Sequence, residues 1–413
     1  MAWWNPLTWR SAPAPLPFEQ IIARLDGAAG TARIAGVPVS STTALQVATV
    51  LACVKAIADG CATPELHVFR EKDGGRRELA RNIPEYRMLN RRPNEWQTSF
   101  EFRRTMTMHA ALTGDALAIK VMKGNRVAEL IPVVPGSFTI EKAARYDVRY
   151  RCYDEFGLIG EFGADEVLHL PAWQWSGYKG LDAVRLAAAA VGLSIAAERN
   201  QATYYENGGR PAGVLTTANK MSPDAINSLR EAWRKFTAEN RNGTAILDNG
   251  FSYAAIAMTG VDAQHLETRR FQVEEICRAF GVFPIMVGHS DKTATFASSE
   301  AFFAAHLIHT LAPWHKLWAQ RLDEFVLDGG GPLFVEFDTR YLRAGSMKDR
   351  AQWARTMAEM GIYTRNELRD EEGKDPLPGL DDPLTPLNMG GGEAPAGDAP
   401  DNADPGTGKD STQ

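Results

Sequence analysis

The chain has 413 residues, of which 44% are hydrophobic and 23% charged, and its formal charge is −6 at pH 7. The length predicts more than one domain, and the composition is ordinary for a folded globular protein. The acidic balance argues against a tight, sequence-specific DNA-binding protein, although DNA could still slide past such a chain.

The first part of the chain predicts an α+β domain behind an N-terminal arm. Residues 1–39 are rich in Pro, Ala and Trp, which indicates an arm with short ordered pieces. A helix over 42–63 follows, and then a hairpin that turns at residues 73–75. The next helix is expected to be capped by Ser99 and ended by Gly114. Further strands continue to about residue 175.

Long helices dominate the chain after Gly180. An Ala-rich helix is predicted over 182–208, and a second long helix runs from about Val261 to Gly281. Between them lies a small insert in which Ser222 is expected to cap a helix. The insert also contains a predicted hairpin over 244–256.

The remaining elements begin with a third long helix from about Ser298, which Ser298 or Ser299 is expected to cap. Pro313 lies inside it and predicts a kink. A strand over 333–342 and a helix–turn–helix over 347–373 follow. The composition from about Asn388 onward predicts a disordered tail.

Cysteine usage and hydropathy limit the cellular setting. The four cysteines form no CxxC pair, so we expect small buried side chains and a reducing compartment. The N-terminus lacks the apolar run of a secretory signal, and no segment has enough apolar residues to cross a bilayer. The sequence therefore predicts a cytoplasmic protein that binds no membrane.

The search for catalytic motifs finds no enzyme signature. The P-loop, HExxH and GxSxG patterns are absent. His289, Ser290 and Asp291 are adjacent, whereas a catalytic triad is assembled from distant positions. His306 and His309 share a predicted helix face but have no carboxylate at matching spacing, so we expect core or interface histidines. The sequence predicts no enzyme, no cofactor and no metal.

A series of short segments between about residues 40 and 385 carries the strongest signal. Examples are "LTGDALAIKV", "YYENGGRPAGVL", "EEICRAFGVFPIMVG" and "SSEAFFAAHLIHTLAPW". In number and order these segments resemble the portal proteins of tailed bacteriophages, of the type shared by long-tailed phages and gene transfer agents. One departure is Phe283, where that family usually has a second proline before Pro284.

The resemblance implies an α+β portal fold and a ring, typically of about twelve subunits, at one capsid vertex. DNA would enter and leave through the ring. The large terminase, head-completion or adaptor proteins and the major capsid protein would be its partners. The ring would be assembled in the cytoplasm of the bacterial host and would become part of the virion.

The same resemblance divides the chain into named segments. They are the arm (1–39), the first part of the wing (40–181), stem helix 1 (182–209), the clip (210–261), stem helix 2 (262–281), the tunnel loop (282–297), the second part of the wing (298–345), the crown (346–387) and the tail (388–413).

Two groups of residues are the candidate functional sites. The tunnel loop, expected to be a mobile finger facing the DNA channel, carries His289, Ser290, Asp291, Lys292 and Thr293. The clip surface for terminase or adaptor proteins carries Trp233, Arg234, Lys235 and Arg241. Lys292 and His289 are the positive candidates in the loop, and each phosphate contact adds affinity and therefore friction.

Two other classes of function stay open from the residues alone. One is a capsid-associated protease or nuclease, which would need a nucleophile–base pair or a carboxylate metal cluster. The other is a scaffold or adaptor through which no DNA passes. The exact subunit number, and the choice between a virus and a gene transfer agent, are also open.

Overall fold

A computed structural model describes residues 32–384 except for short gaps. The gaps are residues 35, 73–75, 144–146, 155–156, 207–212, 218–219, 240–251, 256–260, 290–295, 328, 330, 340–346 and 373. The predicted tail and most of the N-terminal arm therefore lie outside the described residues. The chain divides into two compact units, Met1–Thr339 and Arg340–Gln413.

Most helices lie in the first unit. They are α1 (Ser41–Leu45), α2 (Ala48–Ala62), α3 (Pro84–Asn90), α4 (Ser99–Thr113), α5 (Ala183–Leu186), α6 (Ala188–Glu206), α7 (Pro223–Glu239), α8 (Val261–Phe280), α9 (Phe296–His306) and α10 (Ala312–Phe325). A 3₁₀ turn at Pro284–Val287 precedes α9, and a π-helical turn at Leu307–Leu311 separates α9 from α10. The second unit contains α11 (Met347–Glu359) and α12 (Arg365–Glu371).

The described strands pair in antiparallel fashion throughout. They are β1 (Ala32–Ile34), β2 (Val37–Val39), β3 (Glu65–Lys72), β4 (Arg76–Leu79), β5 (Asp115–Lys123), β6 (Arg126–Val133), β7 (Phe138–Lys142), β8 (Val148–Asp154), β9 (Gly157–Phe162), β10 (Val167–Pro171), β11 (Gly213–Thr216), β12 (Ser252–Ala255) and β13 (Leu333–Asp338). Their sheet orders are β1-β2, β13-β3-β4, β10-β5-β6, β7-β8-β9 and β11-β12.

Strand β5 lies between the two hydrophobic cores of the first unit. Ala116 and Ala118 pack into the main core beneath the helices, whereas Leu117 and Ile119 pack against the β7-β8-β9 sheet. Successive side chains of a strand point to opposite faces, so the apolar run of β5 fills both cores. This mixture of helices and antiparallel sheets confirms the predicted α+β class.

The cap of α4 differs from the expected one. Thr98, and not Ser99, is the N-cap residue: its hydroxyl accepts the Glu101 N–H at 3.3 Å, and the Glu101 carboxylate accepts the Thr98 N–H at 2.8 Å. This reciprocal capping box satisfies two unpaired N–H groups at once, which a cap at Ser99 could not do. The Ser99 hydroxyl donates instead to the Leu89 carbonyl.

The Ala-rich segment after Gly180 forms two helices where one was predicted. Ala187 leaves the helical region, with φ −90° and ψ 11°, and separates α5 from α6. The small residues of α6 permit close packing. A Cβ atom on Gly192 would lie 2.7 Å from Cβ of Ile34, so hairpin β1-β2 crosses the helix where glycine leaves room.

The remaining elements agree with the sequence in kind but differ in detail. In the insert, β12 pairs with β11, and most of the predicted hairpin over 244–256 lies outside the described residues. The irregularity expected from Pro313 takes the form of the π turn one step earlier. Proline has no N–H for the helical ladder and crowds the preceding turn, which explains the altered hydrogen bonding there.

The second unit contains the predicted helix–turn–helix. Thr364 and Glu367 form a capping box at the start of α12. Trp353 on α11 contacts Tyr363 in the connecting turn, with ring centroids 5.6 Å apart. A salt bridge between Arg350 and Glu372, with nitrogen and oxygen 2.9 Å apart, links the start of α11 to the end of α12.

Candidate functional site

The segment that leads to the candidate loop begins where α8 ends. The Val282 N–H donates to the Cys277 carbonyl at 2.9 Å, and the Gly281 N–H donates to the Arg278 carbonyl at 3.2 Å. Gly281 has φ +65°. This pattern is a Schellman motif, which favours glycine at the left-handed position. The predicted stop at Gly281 is therefore confirmed.

The backbone after Gly281 is ordered by packing. Phe283 has φ −69° and ψ 135°, which is the region that proline prefers. Phenylalanine in place of the family's usual proline therefore keeps the local backbone conformation. Its ring lies 6.1 Å from that of Phe302 on α9, and Met286 and Val287 pack against the main core.

A second contact also holds the start of the loop, at Gly281. The Thr310 hydroxyl, in the π turn, donates to the Gly281 carbonyl at 2.6 Å. Together with the contact between Phe283 and Phe302, this bond ties the start of the connection between α8 and α9 to α9 and the π turn that follows it. Of the predicted loop of residues 282–297, the structure describes residues 282–289, which include the 3₁₀ turn, and residues 296–297 at the start of α9.

His289 is the candidate loop residue that the structure describes. Its N–H donates to the Pro284 carbonyl at 3.0 Å, and its Nε2 lies 3.8 Å from a carboxylate oxygen of Glu274 on α8. The side chain is about one quarter exposed. Four other candidates lie outside the described residues, namely Ser290, Asp291, Lys292 and Thr293.

The expected cap of the following helix is wrong. Ser298 and Ser299 were the predicted caps, but α9 already begins at Phe296 and both serines lie within its first turn or so. Helix propensity of the apolar run that follows explains the earlier start, since Ala, Phe and Glu continue a helix readily.

The candidate clip residues lie on α7. Its start agrees with the sequence, because the Ser222 hydroxyl accepts the Ala225 N–H at 3.3 Å. Trp233, Arg234 and Lys235 are consecutive, and successive helical residues point about 100° apart. Trp233 is half-buried while Lys235 is exposed, so these two side chains do not share one exposed face. Arg241 lies outside the described residues.

The two histidines of the third long helix lie in different environments. His306 is buried, its Nδ1 has no hydrogen-bond partner, and burial lowers its pKa. His309 is exposed, because the π turn changes the angular step between the two residues. His306 is thus a core histidine, one of the two expectations. Within the described residues, no group of three His, Cys, Asp or Glu side chains is arranged to hold a metal.

A buried polar network was not predicted from the sequence. His169 on β10 donates from Nε2 to Asp115 at 2.9 Å and accepts the Tyr150 hydroxyl at Nδ1, at 3.1 Å. The Gly180 N–H donates to the same Asp115 oxygen at 2.6 Å. Asp115, His169 and Tyr150 are each at most 5% exposed, so the network lies inside the folded first unit. The detectable signal was a histidine inside the apolar strand "EVLHLP".

These assignments of donor and acceptor follow from chemistry. A carboxylate only accepts, so Nε2 of His169 must carry the proton, and the neutral Nδ1 then accepts from Tyr150. Burial lowers the pKa of His169 even though Asp115 acts in the opposite direction. The network connects strands β5, β8 and β10 to Gly180, which lies in the segment just before α5.

We expect the midpoint of thermal unfolding to fall as the pH drops from 7 toward about 4. Burial lowers the pKa of His169, His306 and His315, and it lowers that of His109 to about 4. Below about pH 6.5 the unfolded chain therefore binds more protons than the folded chain, and stability is lost. Circular dichroism melts measure this slope. His109→Gln should make it shallower, exposed His309→Gln should not, and a flat profile would contradict the assignment.

No helix among the described residues is long and apolar enough to cross a membrane.

Three comparisons place the chain among known proteins. The family model described as phage portal protein matches residues 48–373. The portal protein of Enterobacteria phage HK97 is 30% identical over 351 residues, which cover 82% of this chain and 81% of the relative.

Solved structures share the fold. A chain from the neck of a native gene transfer agent particle, computed with C12 symmetry, has a TM-score of 0.55 and 20% identity, and the match covers 86% of this chain and 99% of that one. An HK97 family phage portal protein from Corynebacterium diphtheriae has a TM-score of 0.56 and 16% identity, with 73% and 95% covered. The family match spans most of the sequence, and the chain belongs to the phage portal protein family.

Proposed function

We propose that copies of this chain form a closed ring at one capsid vertex and that double-stranded DNA passes through the ring during packaging and ejection. The observation that carries the proposal is the match to the portal family over residues 48–373. The similarity to a neck with C12 symmetry supports a ring of twelve. In this role the protein makes and breaks no covalent bond.

Exposed leucines on the α5–α6 segment support self-association. Leu186 at the end of α5 is 67% exposed, and Leu193 on α6 is 49% exposed. A subunit of a ring contacts its two neighbours through different surfaces. We assign these two exposed leucines to one of those surfaces, because their neighbours in sequence are mainly Ala and would allow close approach.

The named segments keep their proposed roles. Residues 40–181 and 298–345 form the wing, 182–209 and 262–281 the stem, 210–261 the clip and 346–387 the crown. The large terminase, and later the adaptor proteins, dock on the clip, with exposed Lys235 as the described contact candidate. The wing faces the major capsid protein.

The loop between α8 and α9 works on DNA by shape and weak charge. Its start is tied to α9 by the Phe283–Phe302 contact and to the π turn by the bond from Thr310 to Gly281. A loop that is tied at this point can approach a sliding duplex while the stem stays in place. The acidic chain and the small number of basic residues near the loop keep the friction on phosphates low.

The test replaces residues 290–295 by a Gly-Ser segment of equal length, which leaves both anchors intact. We expect rings to assemble normally, while the number of DNA-filled particles per ring falls sharply. Lys292→Ala alone is the matched variant that separates charge from bulk. Normal filling with the Gly-Ser segment would refute the channel role of the loop, and loss of ring assembly would make the loop a structural element.

A further inference from the structure

Two buried thiols lie next to each other where helix α8 packs against helix α2. Cys53 on α2 and Cys277 on α8 are both 0% exposed, and their Sγ atoms lie 3.8 Å apart. They are 224 residues apart in sequence. The other two cysteines, Cys61 and Cys152, are also buried and free.

The contact is a hydrogen bond in which Cys53 donates its S–H to Cys277. This bond lowers the pKa of Cys277 and raises that of Cys53. Cys277 is therefore the better nucleophile of the pair, because the thiolate is the reactive form. A disulfide requires an S–S distance of about 2.05 Å. The two atoms must approach by less than 2 Å, a distance that rotation about the Cα–Cβ bonds and a small helix shift can supply.

The position of the pair gives such a bond a mechanical consequence. Cys277 accepts, through its carbonyl, the Val282 N–H that ends α8, and it lies four residues before the glycine of the Schellman motif. Cys53 lies in the middle of α2, within the main core. A covalent link there attaches the end of α8 to α2 in the main core. The start of the α8–α9 loop, which follows directly, is then held in place as well.

We propose that Cys53 and Cys277 are a thiol oxidation site. Both thiols are reduced during synthesis, and a hydroperoxide later converts them to a disulfide that links α8 covalently to α2. Cytosolic thiols are kept reduced, and disulfides form outside that compartment. The chemistry of the site does not depend on the proposed function.

The reaction balances in two steps. Cys277 sulfur attacks one peroxide oxygen, the O–O bond breaks, water leaves, and the sulfur becomes a sulfenic acid. Cys53 sulfur then attacks that sulfur, the S–O bond breaks, and the departing hydroxide takes the Cys53 proton as a second water. Two thiols lose two electrons and hydrogen peroxide gains them. Peroxide is small enough to reach the pair through local opening of the packed helices.

The experiment treats the full-length protein with hydrogen peroxide, removes the oxidant, denatures the chain and counts thiols. We expect the count to fall from four to two. Peptide mapping should show Cys53 linked to Cys277, and dithiothreitol should restore both thiols. Intact oxidised protein should unfold several degrees higher, since closure of a long loop restricts the unfolded chain.

Variants separate this outcome from other oxidation. Cys152→Ala is the matched control and should still form the link, whereas Cys53→Ala should not. Cys53→Ser serves the same purpose if the alanine variant does not fold. Four intact thiols, a sulfinic acid on Cys277 without a link, or a different disulfide would each overturn the proposal. Ring assembly is not measured, so failure here leaves the proposed function untouched.

Discussion

Trp318→Ala should lower the free energy of unfolding by about 3–5 kcal/mol, the usual cost of removing a large aromatic side chain from a core. Trp318 is 0% exposed, and its indole N–H donates to the Thr107 hydroxyl at 3.0 Å. Its ring and that of Phe102 form an edge-to-face pair with centroids 6.3 Å apart. The substitution leaves both a cavity and a buried hydroxyl without its partner. Because α10 contacts α4 here, the loss affects the whole first unit.

The measurement is chemical denaturation followed by far-UV circular dichroism. Trp175→Ala is the matched control, because Trp175 is 90% exposed, and its change should stay within about 0.5 kcal/mol. Equal effects of the two variants would contradict the assignment of Trp318 to the core.

Asp115→Ala should lower the free energy of unfolding by about 2–6 kcal/mol. One carboxylate oxygen accepts from both His169 and the Gly180 N–H, so the variant leaves one buried and one partly buried donor without an acceptor, each at about 1–3 kcal/mol. Relaxation is limited here, because a Cβ atom on Gly180 would lie only 1.8 Å from the Gly114 carbonyl oxygen. The backbones of the two glycines are therefore already in close contact.

Two further variants make this prediction specific. Asp115→Asn keeps one acceptor oxygen and should recover part of the loss. Asp147→Ala removes an exposed carboxylate that pairs with Arg149 at 2.9 Å, and exposed pairs contribute at most about 1 kcal/mol. If Asp147→Ala destabilised the chain as much as Asp115→Ala, the buried network would have no special role.

Local patterns predicted most helices and strands because their signals are strong within a few residues. The stop of α8 at Gly281, the hairpin β3-β4 and the helix α7 after Ser222 were all found in this way. Errors arose where two local signals compete. At α4 both Thr98 and Ser99 are good caps, and only the position of Glu101 decides between them.

Contacts between distant residues could not be predicted from the same patterns. The sequence gives no sign that His169 meets Asp115 and Tyr150, since three strands must pair in register before the side chains approach. The same holds for Cys53 and Cys277, which spacing alone marked as ordinary buried cysteines. Of the candidate loop residues, the structure describes His289, and the role of the loop stays a prediction.

The central claim is that this chain closes into a ring, and native mass spectrometry of the purified full-length protein tests it most directly. The account predicts one dominant species with the mass of about twelve chains, as expected from the similarity to the C12 neck. Replacement of both Leu186 and Leu193 by Asp should shift the protein to folded monomers. A wild-type protein that stays monomeric at every concentration, with the fold intact, would contradict the claim.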